Sequence, residues 1–162
     1  MLSERAVINA SPLICLGKAG LLHLLPLLFT EVVVPEAVLA EVTAPGMATP
    51  EALAVCHADW LQKVAPIPVD LRVIAWDLGQ GESSVISFAL HSSGYRPVLD
   101  DQAARRCAET LGCRVIGTAG ILLRARQQNL IPTLRVAFSQ LQQSGLWLSA
   151  NLIEELCCSV GE

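Results

Sequence analysis

Residues 96–130 read "RPVLDDQAARRCAETLGCRVIGTAGILLRARQQNL". A short apolar run, "RPVLD" (96–100), ends on paired aspartates. "DQAARRCAETLG" (101–112) follows as a helix, with an aspartate suited to its N-terminus and Gly112 suited to its end. "CRVIG" (113–117) is a second apolar, β-branched run, and "TAGILLRARQQNL" (118–130) is a second helix. Strand, helix, strand, helix calls for parallel pairing through right-handed crossovers.

The same alternation extends outward in both directions. "RAVIN" (5–9) reads as a strand, and a helix follows it, with Ser11 as N-cap and Pro12 in its first position. "TEVVVP" (30–35) is a strand running into the helix "PEAVLAEV" (35–42). A Gly/Pro/Thr loop covers 43–50, a helix 50–63 and a proline-interrupted extended segment 64–70. "GQGESSVISFALHSSG" (79–94) is a helix bracketed by glycines, "LWLS" (146–149) is brief, and 133–145 and 149–160 close the chain as helices. The expectation is one domain over 1–162: a three-layer α/β/α sandwich around a mostly parallel sheet of four to five strands.

Composition agrees. The chain is 52% hydrophobic and only 16% charged, with 4% aromatics, so its core is built from Leu, Val, Ile and Ala, as buried parallel strands require. The longest apolar stretch, 20–34, is interrupted by His23, Pro26 and Glu31, short of the roughly 18 residues that a membrane helix needs. No basic-then-apolar leader opens the sequence, which gives a cytoplasmic expectation. The six cysteines form no C-x-x-C pair and the three histidines show no paired spacing, so thiols are expected rather than disulfides or zinc.

Net charge is −4, yet it is unevenly spread. Residues 1–95 hold four basic and nine acidic side chains, whereas 96–135 hold seven arginines against three acids. Arginine is the better bidentate partner for phosphate.

In a parallel sheet the carboxyl ends of all strands share one edge, where α/β folds bind ligands. Asn9 ends the first strand there, and Asp100 and Asp101 end a later one. Glu82 lies on the core-facing stripe of its helix, at i−3 and i−4 from Val85 and Ile86, where a carboxylate is costly unless paired or bound to a cation. Glu41 follows Val38 by three residues. Each has an ordinary alternative: Glu82 capping its own helix, Glu41 in solvent, Asp101 paired with Arg105 at i+4. Converging carboxylates instead favour a hard divalent cation, Mg²⁺ or Mn²⁺.

These residues occur in an order that is familiar. "VINASPLICLGKAGLL", "VVVPEAVLAEV", "GQGESSVISFAL", the run from "VLDD" to "RQQNLI" and "LSANLIEEL" together resemble the PIN-domain superfamily. Within it they are most similar to the compact prokaryotic, toxin-like branch that includes VapC-type toxins. The resemblance implies a PIN fold and metal-dependent ribonuclease activity. It puts family acids at Glu41, Glu82 and Asp100 or Asp101, with Asn9 where the first acid usually stands, and gives Ser11 the role of holding that first position. The implied metal ligands are Asn9, Glu82, Asp100 and Asp101, with Glu41 among the catalytic acids. A homodimer is the family habit and also fits so apolar a chain.

Two functions follow from this. One is a Mg²⁺/Mn²⁺-dependent endoribonuclease, the toxin of a toxin–antitoxin pair, with Arg105, Arg106, Arg124 and Arg126 steering RNA and an antitoxin protein as partner. The other is a catalytically weakened module that binds RNA or protein, since Asn9 brings no charge. A dinucleotide-binding reading fails because no G-x-G-x-x-G follows the first strand.

Overall fold

The computed structural model describes residues 4–46 and 49–162. Part of the loop read over 43–50, residues 47–48, lies outside them. Four strands form an all-parallel sheet: β1 (Arg5–Ile8), β2 (Glu31–Pro35), β3 (Leu61–Val64) and β4 (Tyr95–Val98), in the order β3-β2-β1-β4. The inner strands are the apolar ones. Ala6, Val7 and Ile8 of β1 and Val32, Val33 and Val34 of β2 are all buried. β3 is an edge strand and carries exposed Gln62 and Lys63, residues that discourage further pairing.

Among the described residues, ten helices flank the sheet: α1 (Ala10–Lys18), α2 (Leu24–Leu28), α3 (Glu36–Val42), α4 (Pro50–Cys56), α5 (Leu71–Ile74), α6 (Gln80–His91), α7 (Gln102–Thr110), α8 (Thr118–Gln127), α9 (Leu134–Gln143) and α10 (Ala150–Ser159). α6 packs across β1, β2 and β4 and meets α3, α5 and α7, while α1 and α2 gather α8 and α9 on the other side. The result is the three-layer α/β/α arrangement that the sequence implies.

Three local readings are corrected. The strand expected at 113–117 is reduced to one parallel bridge, Val98 with Ile116. Ile116 donates to Pro97 O and accepts from Leu99 N. The next ladder donor, to Arg114 O, would be the N–H of residue 97, which proline lacks. The Arg96 guanidinium bonds Arg114 O instead, at 3.0 Å. The helix read over 50–63 ends at Cys56 in a turn, and 61–64 becomes β3 inside what was read as helix and extended chain. The first helix is broken at Gly20, whose φ is +72°, and its N-cap position is Asn9 rather than Ser11. "LWLS", read as brief, links α9 to α10.

Candidate functional site

The carboxyl edge of the sheet receives residues from four elements. Asn9 follows β1 and is 5% exposed. Its backbone N–H bonds Val98 O at 3.2 Å, but its side-chain Oδ1 is buried with no hydrogen-bond partner. Such an orphaned acceptor is costly unless a donor or cation meets it. Ser11, expected to hold this position, does not bond it. The Ser11 side chain is exposed and interacts with the Cys15 thiol.

The paired aspartates part company. Asp100 accepts from Thr118 twice: Oδ1 from the backbone N–H at 2.8 Å and Oδ2 from the hydroxyl at 2.5 Å. It also lies within electrostatic reach of Cys15 on α1; that thiol is pushed up, first by burial and then by the Asp100 charge. Asp101 is the N-cap of α7, its Oδ2 accepting from Ala104 N at 2.9 Å, the favoured use of aspartate at a helix start. Among the described residues no Asp101–Arg105 side-chain pair forms; the Arg105 backbone N–H bonds Asp101 O at 3.0 Å, as a helix start requires, and Arg105 Nη1 donates to Leu99 O at 3.0 Å.

Glu82 opens α6 and turns back on its own helix, Oε2 accepting from Gly79 N at 3.0 Å. Its carboxyl is nevertheless held above the usual range. Burial is the main cause, the Gly79 bond opposes it, and the charges of Asp101 and Glu41 add to it. Three acids from three elements therefore share one field. Glu41 ends α3 and reaches across to α6, where Oε1 accepts from Gly81 N at 3.0 Å.

Two glycines make these approaches possible. A Cβ on Gly81 would collide with the Glu41 carboxylate. One on Gly117 would fall 2.5 Å from an Arg105 nitrogen and 3.1 Å from Asp100 Oδ1. Neither glycine nor Thr118 is given a role by sequence reasoning. The only signal was the Gly117–Thr118 pair at a strand-to-helix junction.

The four arginines split. Arg124 bonds Glu4 at 2.5 Å, and Arg126 bonds Glu162 at 2.7 Å. Arg106 is exposed and makes no ion pair among the described residues, and Arg105 stands beside Asp100 with one nitrogen committed to the backbone.

Among the described residues no three acidic, histidine or cysteine side chains stand close enough to enclose a metal ion. The donor chemistry still fits a hard cation. Asn9 Oδ1 is unpartnered, and Glu82 and Asp101 each use one oxygen only in a helix cap. Mg²⁺ typically takes one or two carboxylates, with water and substrate phosphate completing its shell.

The class that the fold defines is a three-layer α/β/α domain around an all-parallel sheet. The family model described as "DUF3368: PIN domain" matches residues 5–162. The chain belongs to that PIN-domain family. PIN domains generally use divalent metal ions and act on nucleic acid. No curated protein and no solved structure matches the chain. No helix among the described residues is long and apolar enough to cross a membrane.

Proposed function

We propose that this chain is a Mg²⁺- or Mn²⁺-dependent endoribonuclease, the toxin of a toxin–antitoxin pair. The observation that carries the reading is Glu82: half-buried, fixed by Gly79 N, with its ionised form disfavoured by burial and by Asp101 and Glu41. A cation relieves that conflict, and an unpartnered Asn9 oxygen at the same sheet edge offers it a neutral ligand.

Asn9, Glu82, Asp100 and Asp101 would hold the ion, with Glu41 adding to the field. When bound, a divalent ion lowers the pKa of a coordinated water and neutralises charge developing on phosphate. Thr118 fixes Asp100 in one orientation. Arg105 and Arg106 receive the RNA backbone, a role that Arg124 and Arg126 serve less well while bonded to Glu4 and Glu162. The antitoxin and a homodimer belong to the same proposal. Leu71 and Ile74, 82% and 56% exposed on α5, offer apolar surface for a second copy.

The test is RNA cleavage with Mn²⁺ by the wild type, Glu82→Gln and Asn9→Asp. Loss in the first variant and gain in the second are expected, and identical behaviour of all three ends the catalytic case. A second reading, a PIN module with a weakened centre, is favoured by the uncharged Asn9 and by the lack of three converging acids among the described residues. Calorimetric titration separates the two, because that module would take up no Mn²⁺ at millimolar levels.

A further inference from the structure

A groove of about 830 Å³ runs along the open edge of the sheet, between α8 and the segment joining α9 to α10. Its lining includes Asp100 and Arg105 of the candidate site together with Arg96 and Arg124. On its lip stands Trp147, 84% exposed. Its neighbours Leu146 and Leu148 are partly buried against the core, and Gly145 turns the chain just before them with φ +103°. The indole is thus held outward by inward anchors on both sides. Trp is normally largely buried, and a fixed, exposed indole at a groove lip is a stacking surface.

We infer that this groove seats an unstacked nucleobase of single-stranded RNA, with Trp147 as its platform, beside the phosphate that Asp100 and Arg105 face. Charge identifies the occupant. Arg96, Arg105 and Arg124 line the groove against one carboxylate, Asp100, and the Glu4 carboxylate that Arg96 and Arg124 share lies outside the lining, so the groove keeps an excess of positive charge. That pattern suits a polyanion. The Gln102 and Gln127 amides on the walls supply donors and acceptors for base edges. Aromatic platforms beside a cationic track are the general means of holding single strands, and each stacked base contributes roughly an order of magnitude in affinity. A duplex keeps its bases stacked internally and cannot use the platform.

The inference rests on the nuclease reading for what happens at Asp100, though its binding test does not. Fluorescence anisotropy with a labelled, unstructured RNA of about 12 nucleotides, in EDTA to prevent turnover, compares the wild type, Trp147→Ala and Trp147→Phe. The same strand annealed to its complement is the control. The alanine variant should bind the single strand about tenfold more weakly. The phenylalanine variant should stay within about threefold, and duplex binding should not change. Unchanged single-strand affinity in Trp147→Ala overturns the inference, as does that result accompanied by loss of a dimer in size-exclusion chromatography, which would make the lip a contact between copies. Cleavage in Mn²⁺ is read separately. A Trp147-dependent affinity without Glu82-dependent cleavage sinks the nuclease reading alone, and the reverse pattern sinks the groove alone.

Discussion

Asp100 and Thr118 are joined twice, backbone N–H to Oδ1 and hydroxyl to Oδ2, so the end of β4 is tied to the first residue of α8. The carboxylate also sits at that helix's N-terminus, where a negative charge is favoured. Thr118 is fully buried, and a bond from a hydroxyl to a charged acceptor contributes about 1.5–3 kcal/mol. Thr118→Val should lose stability of that order in urea unfolding. It should also lower kcat for RNA cleavage, while Thr118→Ser restores both. A variant that loses stability but keeps kcat would show that the pairing serves the fold alone.

Glu82 makes the opposite bargain. Its folded-state pKa is raised by burial and by two like charges, so the folded protein holds a proton that the unfolded chain has already released. Stability contributed by the protonated form is therefore lost as pH rises through that window. Without divalent ions, Glu82→Gln should melt higher than the wild type at neutral pH and no higher below the ordinary glutamate range. Added Mn²⁺ should raise the melting temperature of the wild type only. Proton release on Mn²⁺ binding, measured by calorimetry in two buffers, should vanish in the variant.

Alternation of strands with helices is legible because the inner strands carry unbroken apolar runs and the helices carry explicit caps: Asp101, Thr133 and Ser149 each accept from a backbone N–H at a helix start. The apolar run at 113–117 does not extend into a strand because its pairing fails on a neighbour, Pro97, that local pattern does not weigh. β3 is not legible in the sequence because an edge strand of "LQKV" has one buried position and no apolar period to distinguish it from the tail of a helix. In the site, the acids were visible as residue types, whereas the groups that aim them, Thr118, Gly81 and Gly117, act through backbone approach across long sequence separations. The fates of Arg124 and Arg126 depend on Glu4, 120 residues away from the first, and Glu162, 36 residues away from the second.

Gly81 separates the position of Glu41 from its charge. An alanine there places a methyl against the Glu41 carboxylate and pushes it off the Gly81 N–H. The helix gains about 0.5–1 kcal/mol of propensity, while overpacking costs about 1–3 kcal/mol, so net stability should fall slightly. Cleavage should fall by about tenfold if Glu41 contributes to the field at Glu82. Full activity in Gly81→Ala, together with loss in Glu41→Gln, would show that the charge matters and its placement does not.

Glu162 binds the start of α9. Its carboxylate accepts from Leu134 N at 2.9 Å, Arg135 N at 3.1 Å and Arg126 Nε at 2.7 Å. The backbone donors at the start of α9 and then Arg126 hold it down to about 2 from 4.5. With a depressed folded-state pKa, the stabilisation is complete above about 4.5 and is lost as pH falls toward about 2. Urea midpoints should therefore separate wild type from Glu162→Gln at neutral pH and converge across that window. The same variant frees Arg126. If Arg126 then reaches RNA, single-strand affinity should rise and its salt dependence steepen; unchanged affinity would assign this arginine to the fold alone.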